Sequence, residues 1–246
     1  MSVPRSGRSV RRRQPAYHLY RWAWAGLDWL YPPVCGGCGK RGKRWCFDCQ
    51  QKTQLVSPVV CQVCGQPWGG QGICQDCRSS PPHFAALRSW AFFSGPIRQA
   101  LHRLKYRGDI ALGEVLARPL IQKLVELEWR VDLVTPVPMG VARQEQRGYN
   151  QSALLAWPLA LGSGDRYLPT ALLKIRETPS QVGLSMAQRK SNVTGAFQAR
   201  QELVAGKRVL VVDDVTTSGA TLEACALALK EAGASQVFGL TLARAL

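Results

Sequence analysis

Several features that define common protein classes are missing from this 246-residue sequence. No apolar run approaches the ~20 residues that a membrane-spanning helix needs. The basic segment from Arg5 to Arg13 is followed by neither the apolar core nor the small-residue cleavage site of a secretory signal, so we expect a cytoplasmic protein. The strand and turn at residues 208–222 have neither the G-K-[ST] of a Walker P-loop nor the G-x-G-x-x-G of a dinucleotide-binding turn. These absences argue against membrane, secreted and P-loop or Rossmann-type nucleotide-binding proteins.

Acidic residues and histidines are scarce. The chain has 16 Asp and Glu against 32 Lys and Arg, a net charge of +16, and residues 1–83 alone carry 12 basic and three acidic residues, a net of +9. Such an excess favours polyanions such as nucleic acid, phosphorylated metabolites or anionic lipid, and the alternative is a merely solubilising surface. The three histidines, His18, His83 and His102, stand in unrelated contexts, so no Ser-His-Asp or Cys-His set is visible.

Cysteine, in contrast, is concentrated in one segment. Eight of the nine cysteines form four C-x-x-C pairs: Cys35/Cys38, Cys46/Cys49, Cys61/Cys64 and Cys74/Cys77. Thiolates two residues apart can share one tetrahedral metal, so the pattern predicts structural zinc, with ligands enough for two ions. The pairs could combine sequentially or interleave. A disulfide framework is the alternative, which the lack of an export signal disfavours. The segment is too short to bury a core, so metal would supply much of its folding free energy.

The composition divides the chain into three parts. Residues 1–16 resemble a disordered basic tail, residues 17–80 hold an amphipathic helix and the cysteine module, and residues 84–246 form a larger domain. We expect the helix over residues 17–30, ended by two prolines. Its tryptophans, among them Trp22 and Trp24, would pack on the next module, touch a membrane surface or stack on bases.

The larger domain alternates strand and helix patterns, which is typical of an α/β fold with a parallel sheet. We predict strands at 90–93, 131–135, 172–176, 208–212 and 236–242, helices at 97–104, 110–129, 150–161 and 221–232, and a long mobile loop at 178–194. Cys225, in line with apolar residues of the last helix, is predicted to be part of the core.

The segment 208–222 reads RVLVVDDVTTSGATL. An unbroken apolar run suits a strand covered on both faces, and a loop of hydroxyls and glycine before a helix N-terminus suits a phosphate. Two adjacent acids, Asp213 and Asp214, suit ribose hydroxyls or a hydrated Mg²⁺. A ribose with a 5-phosphate satisfies all of these features. The alternative is an ordinary buried strand, turn and capped helix.

At these residues the chain resembles the type I phosphoribosyltransferases. The resemblance implies a parallel sheet with helices on both faces, Asp213 and Asp214 as catalytic acids and ribose contacts, and Mg²⁺ with a phosphoribosyl ligand such as 5-phosphoribosyl 1-pyrophosphate (PRPP) or ribose 5-phosphate. The ribose-phosphate residues would be Asp213, Asp214, Thr216, Thr217, Ser218, Gly219, Ala220 and Thr221.

Three other segments are rich in groups that bind anions. They are the turn Pro136–Gly140, the pair Arg143 and Arg147 four residues apart, and residues 181–192 with their amides, hydroxyls and cations. Singly, each could be a solvated surface; together they supply donors for a diphosphate and a lid that excludes water.

The order of these motifs is more specific than any one of them. The cysteine module, LKYRGD at 104–109, PVP at 136–138, RGYNQ at 147–151, QVGL at 181–184, RKSNV at 189–193 and the final loop together resemble the bacterial ComF family of competence proteins. The resemblance implies a zinc module on a phosphoribosyltransferase-type domain, and a role with other competence or DNA-processing proteins in handling single-stranded DNA during transformation or in using DNA as nutrient. Candidate pyrophosphate or DNA contacts are Lys105, Met139, Gly140, Arg143, Arg147 and Arg189.

Three functions fit these observations. The chain could be an enzyme that displaces pyrophosphate from PRPP with a nitrogen nucleophile, a single-strand-binding accessory protein that uses the same pocket as a sensor or DNA contact, or a structural adaptor. An adaptor leaves the acid pair and the phosphate loop unexplained. We favour the accessory role and keep the transferase as the alternative activity of the same site.

Overall fold

The computed structural model describes residues 15–178 and 186–245, without the side chains of residues 186, 187, 189 and 190. The basic tail predicted over residues 1–16 lies outside this part of the chain, except for two residues that begin the first helix. The helices are α1 (Pro15–Leu30), α2 (Phe47–Gln51), α3 (Gln75–Ser79), α4 (Gly95–Tyr106), α5 (Leu112–Glu126), α6 (Val141–Arg147), α7 (Gln151–Ser163), α8 (Met186–Val193), α9 (Gln201–Val204) and α10 (Ala220–Glu231). The strands are β1 (Ala86–Phe92), β2 (Leu133–Pro136), β3 (Arg166–Tyr167), β4 (Leu172–Lys174), β5 (Phe197–Ala199), β6 (Arg208–Thr216) and β7 (Gln236–Arg244).

Five of the strands form one parallel sheet in the order β1-β7-β6-β2-β3. The apolar run of β6 explains its central place, because alternate residues are buried on opposite faces. Leu210 and Val212 join the core formed with α4, α5 and α7, whereas Val209 and Val211 join the core beneath α10. The predicted parallel sheet with helices on both faces is thereby confirmed, and Cys225 is fully buried as expected.

Some predicted boundaries were wrong. The strand expected to end at residue 212 continues to Thr216, so Asp213 and Asp214 belong to β6 rather than opening a loop. Asp213 is paired with Thr241 of β7. The loop expected over residues 178–194 contains helix α8 from residue 186, while residues 179–185 lie outside the described residues. Pro158 sits inside α7 without ending it.

Beside the main sheet, β4 and β5 pair antiparallel as a separate two-stranded ribbon. Val193 at the end of α8 and Phe197 of β5 are buried in the same core as α10. This ribbon and α8 therefore stand over the carboxyl end of the sheet, where ligands bind in open α/β folds.

The cysteine module docks along β1, the edge strand of the sheet. Val56 N–H donates to the Trp90 carbonyl at 3.1 Å, and Leu87 N–H donates to the Val63 carbonyl at 2.7 Å. These backbone hydrogen bonds cover an edge that would otherwise be open to solvent.

Helix α1 packs on both parts of the chain. Tyr20 makes an edge-to-face contact with Trp157 of α7, with ring centroids 5.0 Å apart, and the Arg44 guanidinium lies 4.9 Å from the centre of the Trp24 ring. Trp24 therefore packs on the cysteine module, one of the three roles considered for these tryptophans. Trp22 and Trp29, in contrast, are 74% and 85% exposed. Among the described residues, none of the helices combines the length and apolar character that crossing a bilayer demands.

Candidate functional site

The eight paired cysteines form two separate four-sulfur clusters. Cluster 1 comprises Cys35, Cys38, Cys46 and Cys49, and cluster 2 comprises Cys61, Cys64, Cys74 and Cys77. The sequential pairing is therefore the one adopted. The Sγ–Sγ distance is 3.6 Å between Cys35 and Cys49 and 3.7 Å between Cys38 and Cys46 in cluster 1, and 3.8 Å between Cys64 and Cys74 in cluster 2. A tetrahedral zinc with Zn–S bonds of about 2.3 Å requires sulfurs about 3.8 Å apart, so both clusters fit the ion.

Backbone donors in the knuckles prepare the sulfurs for metal. The Cys46 N–H points at Cys35 Sγ (3.4 Å) and the Cys74 N–H at Cys61 Sγ (3.3 Å). Burial opposes ionisation of Cys35, but backbone hydrogen bonds outweigh it and lower the pKa of this thiol to about 6. Four thiolates complete the coordination of a zinc ion and leave no open position, so the sites are structural.

A cavity of about 580 Å³ opens at the carboxyl ends of β2 and β6. It brings together segments that the sequence analysis treated separately. Its wall includes Lys105, Met139, Gly140, Arg143, Arg147, Asp213, Asp214, Thr216, Thr217, Gly219, Ala220 and Thr221, all predicted site residues. Ser218 is exposed at the tip of the turn rather than in the wall. Arg189 lies on α8, but its side chain is outside the described part of the structure.

The acid pair is held by two residues far away in the sequence. Asp213 accepts a hydrogen bond from Ser152 Oγ at 2.7 Å, and Asp214 forms an ion pair with Lys105 Nζ at 2.5 Å. Burial and the neighbouring Asp214 charge raise the pKa of Asp213 to about 7. Burial disfavours the charged form of Lys105, yet the Asp214 carboxylate outweighs it and keeps the pKa of Lys105 above its usual value.

The turn after β6 leads straight into the N-terminus of α10. Gly219 is the N-cap residue and has φ = 83°, a left-handed conformation that favours glycine. The N-terminus of α10, where the helix dipole favours negative charge, meets the cavity at Ala220 and Thr221, which form part of its wall. This end of the cavity is suited to a phosphate group.

Cations also line the cavity. Arg143 donates to the Thr178 carbonyl at 3.3 Å, and the Arg147 guanidinium lies 5.3 Å from the centre of the Tyr106 ring. Lys174, which sequence reasoning missed, also lines the cavity, and burial together with nearby Arg143 lowers its pKa. The lining of the cavity thus combines cations, an acid pair and the turn before α10.

Part of the RGYNQ segment supports the cavity rather than facing a ligand. Tyr149 donates through its hydroxyl to the Leu104 carbonyl at 2.5 Å, next to Lys105. Asn150 caps α7 by accepting from the Ser152 N–H at 2.9 Å, and its amide donates to the Val137 carbonyl at 2.9 Å. One asparagine therefore fixes both the turn after β2 and the helix that presents Ser152. The sequence could have indicated this role of Asn150, because an asparagine just before an apolar helical segment is a typical N-cap.

Comparison with protein families agrees with both parts of the chain. A "Double zinc ribbon domain" model matches residues 26–78, and a "Phosphoribosyl transferase domain" model matches residues 112–245. The first match spans the two cysteine clusters, and the second spans most of the elements around the cavity.

Curated relatives resemble the chain over most of its length. It is 34% identical to DNA utilization protein YhgH of Salmonella typhi (72% of this chain, 81% of the relative) and 31% identical to the YhgH protein of Escherichia coli K12 (86% and 94%). It is 26% identical to competence protein ComFC of Bacillus subtilis (83% and 86%). The chain therefore belongs to the ComF/YhgH family, with a double zinc ribbon joined to a phosphoribosyl transferase domain.

Proposed function

We propose that the cavity binds the ribose 5-phosphate part of a phosphoribosyl ligand, and that the protein serves DNA uptake or DNA utilisation in the cytoplasm by binding single-stranded DNA. One observation supports the ligand above all others. Asp213, Asp214 and the N-terminus of α10 line one cavity together with Arg143 and Arg147. A carboxylate pair beside a phosphate turn matches a sugar phosphate, because hydroxyls donate to carboxylates and phosphate accepts from N–H groups.

Each part of the cavity has a role in this proposal. The 5-phosphate lies at residues 217–221, the ribose hydroxyls donate to Asp213 and Asp214, and a diphosphate on C1 lies toward Arg143 and Arg147. Lys105 balances the charge of Asp214, and Ser152 keeps Asp213 oriented. Asp213 and Asp214 would hold Mg²⁺, which neutralises the charge of a diphosphate group.

The test is calorimetric titration with ribose 5-phosphate and with PRPP plus Mg²⁺. Changing Asp213→Asn together with Asp214→Asn preserves shape but removes two charges and turns one acceptor oxygen of each side chain into an N–H donor. We therefore expect affinity to fall by about tenfold or more. Asp132→Asn is the matched control, since this carboxylate binds Arg208 at the opposite end of β6. Equal affinity in the double variant and the wild type would refute the assignment.

The DNA role is supported by charge, exposed aromatics and the relatives. The first 83 residues carry a net +9, and Trp22 and Trp29 are exposed on α1. The curated relatives are named for DNA utilization and for competence. Exposed aromatic rings beside cations provide the stacking and electrostatic contacts that single strands use.

A second candidate is catalysis at the same cavity. In that reaction a nitrogen nucleophile forms a bond to C1 of the ribose, the bond from C1 to pyrophosphate breaks, and the nucleophile loses a proton. The raised pKa of Asp213 favours this candidate, because a carboxyl group with a pKa near 7 can exchange a proton at neutral pH. Release of pyrophosphate from PRPP in the presence of a panel of free bases tests it. Binding of PRPP without release would leave the ligand-binding role alone.

A further inference from the structure

Arg244, the last residue of β7, connects cluster 2 to the phosphate turn. Its Nη2 donates to the carbonyl of Cys64 at 2.5 Å, and its Nη1 donates to the carbonyl of Thr217 at 3.3 Å. The side chain is buried, with Arg244 only 3% exposed. One guanidinium therefore holds the backbone of a metal-ligating cysteine and the backbone of the turn at the ligand cavity.

The charge of this guanidinium is not balanced by a carboxylate among the described residues. A buried cation is costly unless an opposite charge lies nearby. A divalent zinc ion held by four thiolates is a net anion, so a loaded cluster 2 supplies that charge. Arg88, which donates to the carbonyls of Cys61 and Gln62, is placed beside the same cluster.

A packing contact runs from cluster 2 to the same turn by a separate route. The knuckle lies against β1 so closely that a Cβ on Gly65 would be 2.2 Å from the Leu87 carbonyl oxygen. The Leu87 side chain in turn lies 3.5 Å from the position a Cβ would take on Gly219. Cluster 1, in contrast, contacts α4, where Arg103 donates to the Cys35 carbonyl at 3.1 Å.

We propose that Arg244 is a positioning residue through which the metal of cluster 2 sets the geometry of the phosphate turn. Metal binding at cluster 2 and phosphate-ligand binding at residues 217–221 then reinforce one another, since coupling between two binding sites is reciprocal. The inference rests on the proposed function, because the ligand at the turn is the phosphorylated ribose.

The experiment uses the full-length, zinc-loaded protein and two arginine variants. Arg244→Met removes the fork that reaches both carbonyls, whereas Arg88→Met removes an arginine from the same cluster without a hydrogen bond to the turn. We expect the affinity for ribose 5-phosphate to fall about tenfold in Arg244→Met and to stay within about twofold of the wild type in Arg88→Met. Arg244→Lys keeps the charge but cannot span the two carbonyls. We expect its affinity for ribose 5-phosphate to be reduced as much as that of Arg244→Met.

Zinc release to a chromogenic chelator gives the reciprocal readout. Ribose 5-phosphate should slow one of two release phases in the wild type and in Arg88→Met, and neither phase in Arg244→Met. A merely structural arginine would change release rates without abolishing their dependence on the ligand.

Hydrogen exchange at the amides of residues 217–219 separates failure of the coupling from failure of the ligand assignment. Faster exchange in Arg244→Met than in Arg88→Met, measured without ligand, supports the coupling. Failure of ribose 5-phosphate to bind would overturn the proposed function and would leave this result for the coupling unchanged. Wild-type ligand affinity in both Arg244 variants, or unchanged exchange at these amides, would overturn the inference.

Discussion

At the scale of single residues, three side-chain pairs join positions far apart in the sequence. Lys105 meets Asp214, Ser152 meets Asp213, and Arg208 meets Asp132 across neighbouring strands. The first two fix the acids of the cavity. The third closes the opposite end of β2 and β6.

The Asp132–Arg208 pair makes stability depend on pH in a defined direction. Arg208 donates from its backbone N–H and its guanidinium, and these hydrogen bonds lower the pKa of Asp132 to about 2. A carboxyl group with a depressed pKa stabilises the fold above its unfolded pKa of about 4 and loses that contribution as the pH falls toward 2. We therefore expect Asp132→Asn to be less stable than the wild type at pH 7.

Urea unfolding of both proteins at several pH values measures this effect. The difference in unfolding free energy should be constant from pH 7 down to about pH 5 and should shrink at lower pH. Asp48→Asn, which removes a fully exposed partner of Lys40, is the control and should change stability little. A difference that grows as the pH falls would contradict the assignment.

Sequence reasoning identified the local part of the site and missed the long-range part. Asp213, Asp214 and Gly219 were found because a strand, two acids and a glycine turn are adjacent in the chain. Lys105 was predicted as a pyrophosphate or DNA contact, but its pairing with Asp214 was not, and neither were Ser152 and the link through Arg244. These depend on how distant segments pack, which a single sequence does not encode in any local pattern.

At the scale of elements, the cysteine spacing was sufficient to predict the metal sites, and the structure decided between sequential and interleaved pairing.

Helix α8 was missed because its polar sequence has little apolar periodicity, and β6 was predicted too short because acids are unusual inside a strand. In both cases tertiary contacts outweigh the local pattern: α8 packs against α10, and β6 is held between β2 and β7.

Two zinc ions per chain are expected from the two clusters. Metal analysis of protein purified without added zinc should give a ratio close to two, and Cys35→Ser with Cys38→Ser should reduce it to one. Because metal binding supplies folding free energy to short ribbons, this variant should also unfold at lower temperature. Cys225→Ser is the control for losing a thiol, since Cys225 lies in the domain core outside both clusters.

A ratio of one in the wild type would contradict the presence of two equivalent sites. Retention of two ions in the Cys35/Cys38 variant would show that cluster 1 does not use these sulfurs.

At the scale of the whole molecule, more than half of the net positive charge, +9 of +16, belongs to residues 1–83, whereas the residues that line the ligand cavity belong to the remainder of the chain. The two parts are joined through β1 and through Arg244. In the proposed function, the N-terminal part of the chain would bind a polyanion and the cavity would bind a small anion.

Single-stranded DNA should bind with strong salt dependence and little sequence preference. Contact with Z phosphates releases counterions, so log K should fall with log salt at a slope of about −0.7Z. Replacing the arginines at 5, 8 and 11–13 with glutamine should flatten this slope. Trp22→Ala should cost on the order of 1–3 kcal/mol for a stacked base and leave the slope unchanged.

Fluorescence anisotropy across a salt series, with single-stranded and duplex oligonucleotides, measures both effects. Lys230→Gln, at the far end of α10, removes one positive charge outside the module and serves as control. Absence of binding at low salt, together with robust pyrophosphate release from PRPP and a free base, would reverse the order of the two proposed functions.

We propose that the cavity at the carboxyl ends of β2 and β6 holds a phosphorylated ribose. The decisive measurement is a crystal structure of the protein with ribose 5-phosphate. We predict the phosphate against the N–H groups of residues 217–221 and ribose hydroxyls within hydrogen-bond distance of Asp213 or Asp214. A cavity that stays empty at saturating ligand, or a phosphate bound elsewhere on the basic surface, would contradict the claim.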